Sequence, residues 1–204
     1  MIFDVDGTLI DSIAHSYAGV CEVFRHCTII PPSFADYCEH FEPPFEQFYR
    51  ERGITESIAS RHQISAWYRS TARHDRALIY PDVPNSLSAL TRMEHTCALA
   101  VVSAQKNSIL ALQLEKVSHY FDFIVGEQQD KTPEIERICS VYRISKKFVW
   151  YVGDFAADMR SARRARVRAV GITRGRDTRH ILERAGAHHV INNLDELLSI
   201  MRCH

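Results

Sequence analysis

Two aspartates stand two residues apart in Asp4-Val5-Asp6-Gly7-Thr8, directly after the apolar pair Ile2-Phe3. Alternate residues of a strand point the same way, so carboxylates at a strand end can converge on a cation or divide nucleophile and acid work. Gly7 permits a tight turn and a close backbone approach to an anion. Asp-Gly is also a common turn signal, so the pair gains meaning only from its company. Three further polar positions supply it. Ser103 ends an apolar run, and its hydroxyl and neighbouring N–H groups can hold a phosphoryl oxygen. Lys131 precedes Pro133, and Gly153-Asp154-Phe155-Ala156-Ala157-Asp158 follows another apolar run. That spacing puts Asp154 on a strand-end loop and Asp158 about one helical turn later. Each has a plainer role available: a helix cap for Ser103, a solvated surface group for Lys131, a favourable first-turn charge for Asp158. Their common position after short apolar runs is what the plain roles leave unexplained.

Those runs fall at 2–5, 97–102, 123–125, 148–152 and 168–172. Most are apolar on consecutive residues, as in strands buried on both faces. Helix-compatible segments lie between them at 107–117, 133–142, 155–166 and 178–185, with Pro133 suited to a first helical turn. Alternation of this kind predicts an α/β fold, a parallel sheet flanked by helices. In such sheets the ligand crevice lies beyond the carboxyl ends of the strands. One stretch breaks the rhythm. From 12 to 80 there is no strand signal, only helical patterns at 13–26, 45–52 and 55–73, divided by Pro31-Pro32, Pro43-Pro44 and Gly53. We therefore expect a catalytic core of 1–11 and 82–204, with a small all-α domain of 12–81 inserted after the first strand. Asp11-Ser12 is expected to cap its first helix.

Twenty-five basic and 25 acidic residues balance, leaving no bulk positive field for nucleic acid or an anionic membrane. The six cysteines, at 21, 27, 38, 97, 139 and 203, form no Cys-x-x-Cys pair and no zinc-like spacing with His, so reduced thiols in a cytoplasmic protein are expected. His188-His189 invites a metal reading, but adjacent side chains diverge and no ligand cluster stands nearby in sequence; a structural or surface role is expected. The apolar start is interrupted by Asp4 and Asp6, unlike a secretory signal, and no run of about eighteen apolar residues suggests a membrane span.

Together, DVDGT at 4–8, Ser103, Lys131 and GDxxxD at 153–158 resemble the haloacid dehalogenase-like hydrolase superfamily, specifically its phosphatases with a helical cap after the first strand. The resemblance implies a Rossmann-like sheet of order 5-4-1-2-3, with Asp4 and Asp154 on neighbouring strands. It implies Asp4 as a nucleophile forming an aspartyl-phosphate, and Asp6 as acid and then base. It implies Mg2+ held by the Asp4 carboxylate, the Asp6 backbone carbonyl and Asp154. Gly7, Thr8, Ser103, Ala104 and Lys131 would line the phosphate, with Asp158 orienting Lys131 or a metal-bound water. Family members often carry Asn after the strand-two Ser; Ala104 and then Gln105 here remove one polar contact. Acid at position 6 favours phosphoryl transfer over dehalogenation. The implied partner is a small phosphorylated metabolite such as phosphoglycolate, acted on by a monomer or homodimer. Alternatives are a phosphosugar mutase like β-phosphoglucomutase and a non-catalytic phosphometabolite binder. In the insertion, Arg50, Arg52, Arg61, Arg69, Arg73, Arg76, His62 and His74 offer cations for a substrate carboxylate, although a solvated helix face explains any one of them.

Overall fold

The computed structural model describes residues 1–42, 44–72, 76–94, 96 and 98–202, with the backbone alone at 108, 111, 112 and 202. Cys97, Cys203, Arg73 and His74 lie outside the described residues. The chain forms two compact units, one of Met1–Asp11 with Leu78–His204 and one of Ser12–Ala77.

The larger unit is built on six parallel strands. In chain order they are β1 (Ile2–Phe3), β4 (Ala100–Val102), β5 (Phe123–Val125), β6 (Trp150–Gly153), β7 (Arg168–Ile172) and β8 (His189–Ile191), and side by side they run β5-β4-β1-β6-β7-β8. Counting only these strands, the first five stand in the order 5-4-1-2-3. The sixth, His189–Ile191, pairs beyond β7 and has no counterpart in the sequence reading, because three residues beginning with His carry almost no strand signal. Burial on both faces explains the unbroken apolar runs: every residue of β4 and β6 is buried. Strand β6 begins at Trp150 rather than 148, because Lys146–Phe148 forms a 3-10 turn that leaves Phe148 65% exposed.

Helices follow the strands: α5 (Val83–Thr91), α6 (Asn107–Gln113), α7 (Thr132–Val141), α8 (Ala156–Ala165), α9 (Arg179–Arg184) and α10 (Leu194–Arg202). Helix α7 opens with Pro133 in its first turn, as a residue without an N–H permits. Helix α8 ends on Arg166 in the left-handed region, φ 62°. An antiparallel pair, β2 (Ile10–Asp11) with β3 (Leu78–Ile79), belongs to this unit, so the return from the insertion joins it at 78, ahead of the 82 expected from sequence. Both histidines make local contacts: His188 Nδ1 meets the Ala169 N–H at 2.9 Å, and the His189 ring stacks on Trp150.

The smaller unit holds α1 (Ile13–His26), α2 (Phe34–His40), α3 (Phe45–Glu51) and α4 (Arg61–Thr71). Its core is aromatic, with Phe24, Tyr37, Phe41, Phe48 and Tyr49 buried and Phe45, Trp67 and Tyr68 packed against them. Helix α4 starts at a capping box between Ser60 and Gln63, which shortens the helix expected over 55–73. Ser12 occupies the N-cap of α1 but makes no capping hydrogen bond. Its ψ of −1° is helical rather than the extended geometry that aims Oγ at the first turn. Arg52 is committed internally, forming two hydrogen bonds to Asp36 (2.9 and 2.7 Å) and lying over the Phe48 ring. Arg61 pairs with Glu46 at 3.1 Å. Among the described residues no helix is long and apolar enough to cross a membrane.

Candidate active site

Strand register brings the acids together. Phe3 lies level with Val101 of β4 and Val152 of β6, and the Asp4 N–H continues the ladder to Val152 O at 2.9 Å. Asp4 therefore leaves β1 where β6 delivers Gly153 and Asp154. Beyond it the chain coils tightly: the N–H groups of Thr8, Leu9 and Ile10 all donate to Val5 O, and Gly7 takes φ +73°. A side chain at Gly7 would be strained there and would overlap the Asp154 carboxylate.

Lys131, the N-cap residue of α7, places its ammonium between two acids, 2.8 Å from Asp4 Oδ1 and 2.6 Å from Asp158 Oδ1. Asp158 sits in the first turn of α8, and Tyr151 donates its hydroxyl to the same Oδ1 at 3.3 Å. Carboxylate oxygens of Asp4, Asp154 and Asp158 lie within 4.8 Å of one another, and all three residues are buried. Burial, together with the neighbouring charges of Asp158 and Asp154, pushes Asp4 well above the usual carboxylate range despite Lys131. Asp154 is pushed up to about 7, first by burial and then by Asp158. Burial alone would lower Lys131, but Asp158 and Asp4 outweigh it and hold the ammonium charged.

Asp154 is held at both oxygens, by the Thr8 hydroxyl at 3.2 Å and the Arg176 N–H at 2.7 Å. Gly175 leaves the space its carboxylate occupies, since a Cβ there would overlap it. Asp177, also buried, accepts from Ala156 N at 2.6 Å and donates its own N–H to Asp154 O, so the loop after β7 fixes both ends of the 154–156 turn. The Arg174 guanidinium donates to the Thr8 carbonyl and to Asp82, with Tyr80 beneath it. The sequence reading missed Tyr151, Arg174, Gly175 and Asp177. The last three stand in Thr173-Arg174-Gly175-Arg176-Asp177 after β7, so the strand-end rule that found Asp154 could have found them.

Ser103 directly follows β4, which pairs with β1, and is buried; its Oγ accepts the Gln105 N–H at 3.1 Å. Ala104 is exposed beside it. Asp6 is partly buried in the loop after Asp4. The acids whose side chains converge are thus Asp4, Asp154 and Asp158, and Asp158 is the direct partner of Lys131.

Comparison with known proteins follows the same outline. A family model described as haloacid dehalogenase-like hydrolase matches residues 1–172. A phosphoglycolate phosphatase of Pseudomonas fluorescens (strain Pf0-1) is 24% identical over 97% of this chain and 78% of its own length. Another, of Chromobacterium violaceum, is 26% identical over 98% of this chain and 95% of its own. Among solved structures, a haloacid dehalogenase-like family protein from Streptococcus pneumoniae has a TM-score of 0.84 at 19% identity, covering 98% of this chain and 96% of that one. A protein described as a predicted phosphatase from Clostridium acetobutylicum has a TM-score of 0.82 at 23% identity, covering 100% and 97%. These two share the fold.

Proposed function

We propose, for a chain that belongs to the haloacid dehalogenase-like hydrolase family, that it is a magnesium-dependent phosphatase of small phosphomonoesters. The observation that carries this reading is the buried ammonium of Lys131 bridging Asp4 and Asp158 beside Asp154. It sets a nucleophilic carboxylate next to a fixed positive charge at the carboxyl end of the central strands.

In the proposed reaction an Asp4 oxygen attacks phosphorus and the ester P–O bond breaks, leaving an aspartyl-phosphate. Asp6 gives its proton to the departing alkoxide and then takes one from the water that attacks the same phosphorus, freeing Asp4 and inorganic phosphate. Lys131, the Ser103 hydroxyl and the Ala104 N–H bind phosphoryl oxygens and offset charge in the transition state, while the tight Gly7-Thr8 turn lets the phosphate approach closely.

The residues fit Mg2+. Three buried carboxylates against one ammonium leave an excess of negative charge, the donors are hard oxygens, and Asp158 Oδ2 is a buried oxygen without a hydrogen-bond partner. Asp4, the Asp6 carbonyl and Asp154 would hold the ion. When bound it neutralises phosphoryl charge as a Lewis acid. It would add to Lys131 in offsetting the repulsion of ionised Asp4 by Asp154 and Asp158.

Substrate choice is assigned to the helical unit acting as a cap. Relatives named phosphoglycolate phosphatase support a small ester carrying a carboxylate. With Arg52 engaged by Asp36 and Arg61 by Glu46, reading of that group is assigned to the exposed Arg50, Arg69 and Arg76. Free thiols at Cys21, Cys27 and Cys139 accord with a cytoplasmic setting.

The test is phosphate release from a phosphomonoester panel that includes phosphoglycolate and a hexose 1-phosphate. It is run with Mg2+ or EDTA, and with Asp4→Asn. Release that needs both Mg2+ and Asp4 is expected. Hexose phosphate isomerisation without free phosphate would instead establish a mutase, and binding without either product a sensor.

A further inference from the structure

The proposed chemistry uses one end of the parallel sheet; the other end carries a cationic cleft. Lys147 precedes β6, Arg163 lies in the last turn of α8, Arg166 and Arg168 flank the turn into β7, and His188 precedes β8. With Val167 they line a cleft of about 370 Å3 that contains no acidic residue. The chain as a whole has equal numbers of acidic and basic residues, so this is a local concentration of charge. Neighbouring cations find acids: Arg137 pairs with Glu134, Lys146 with Glu136 and Arg164 with Asp130. Among the described residues, none of Lys147, Arg163, Arg166 and Arg168 does.

The donors are also aimed. Neutral imidazole has one N–H, and His188 Nδ1 accepts from the Ala169 N–H at 2.9 Å, which puts that hydrogen on Nε2. Burial and then the Arg163 charge lower the His188 pKa and keep the ring neutral. Arg163 Nη1 stands 2.7 Å from Nε2, so the guanidinium is held beside the ring at the cleft wall. Gly186, at φ +102°, leaves room for the Arg163 stem, which holds the guanidinium over the cleft.

We propose that this cleft is a second anion site, taking a small oligophosphate of the charge class of inorganic tripolyphosphate. Four permanent cations in a cleft of small-molecule size match a compact anion of several charges. A nucleic-acid strand fits less well, because no Phe, Tyr or Trp lines the cleft and the His188 ring is already engaged by Ala169 and Arg163.

The probe is tripolyphosphate itself, titrated calorimetrically into the full chain carrying Asp4→Asn, in EDTA at low ionic strength, so that neither turnover nor metal chelation contributes. We expect binding at one site, weakened about tenfold or more in Lys147→Gln/Arg163→Gln and little changed in Arg25→Gln/Arg179→Gln, two exposed arginines elsewhere. If the double variant does not fold, Lys147→Gln alone carries the test and must still weaken binding. Equal loss in both pairs would reduce the effect to general surface charge and overturn the site, as would unchanged affinity or no binding at millimolar probe. Tighter binding of a single-stranded oligonucleotide than of tripolyphosphate would overturn the small-anion assignment. Phosphate release by the unaltered chain is measured in parallel, so a failure here is separable from a failure of the phosphatase reading.

Discussion

At the scale of single residues, the site has to keep several carboxylates ionised away from water. Asp154 has little latitude, since Thr8 and Arg176 hold its two oxygens and Gly175 leaves its carboxylate just enough space. Gly175→Ala is therefore expected to displace the carboxylate and weaken apparent Mg2+ affinity by about 10- to 100-fold. A magnesium titration of activity beside an unchanged far-UV circular dichroism spectrum would check this. Asp158 has a different task. It touches Lys131, not the reacting centre, and with Asp4 it overcomes the burial that would otherwise discharge the ammonium. In Asp158→Asn one of the two opposing acids is lost, so the Lys131 pKa falls. The alkaline limb of the kcat/KM profile should then move to lower pH; an unmoved limb with merely reduced kcat would mean that Asp158 only fills space.

At the scale of elements, Arg174 joins three segments. It donates to the Thr8 carbonyl of the loop after β1 and to Asp82 before α5, and Asp82 also accepts the Leu194 N–H at the start of α10. Removing the guanidinium leaves a largely buried Asp82 short of its charged partner and frees the Thr8 loop. Arg174→Gln is expected to cost about 2 kcal/mol, a fall in Tm of about 4–8 °C for a chain of this size. A larger proportional loss of turnover should accompany it, since Thr8 also holds Asp154. Calorimetry paired with steady-state kinetics separates the two effects. A drop in Tm with unchanged turnover would limit Arg174 to a structural clasp.

At the scale of the whole molecule, proton binding, metal binding and stability are linked. In the metal-free protein Asp154 titrates near 7, against an ordinary value of 3.8. Between those values the folded state holds a proton that the unfolded state has released. This contribution to stability is full below about pH 4 and is lost as pH rises through 7. Mg2+ competes with that proton, so it should raise Tm more at pH 8 than at pH 5. Thermal unfolding in EDTA and in Mg2+ at both pH values measures it. Equal stabilisation at the two would show that Asp154 is not a ligand.

By itself the sequence determined the parallel α/β core, the helical character of the insertion and the positions of Asp4, Ser103, Lys131, Asp154 and Asp158. Buried strands must be apolar on both faces, and polar residues just past them are conspicuous. Short elements escaped it. His189–Ile191 and Phe34–His40 carry too few apolar residues for periodicity to show, and Val83–Thr91 begins at a Pro-containing stretch that reads as a turn. Pairing was equally out of reach. Whether Arg52 meets a substrate or Asp36, and whether Asp158 serves Lys131 or a metal-bound water, depends on which side chains converge from segments distant in the chain. Only the tertiary structure decides such contacts, because side-chain direction and burial are set by packing rather than by residue type.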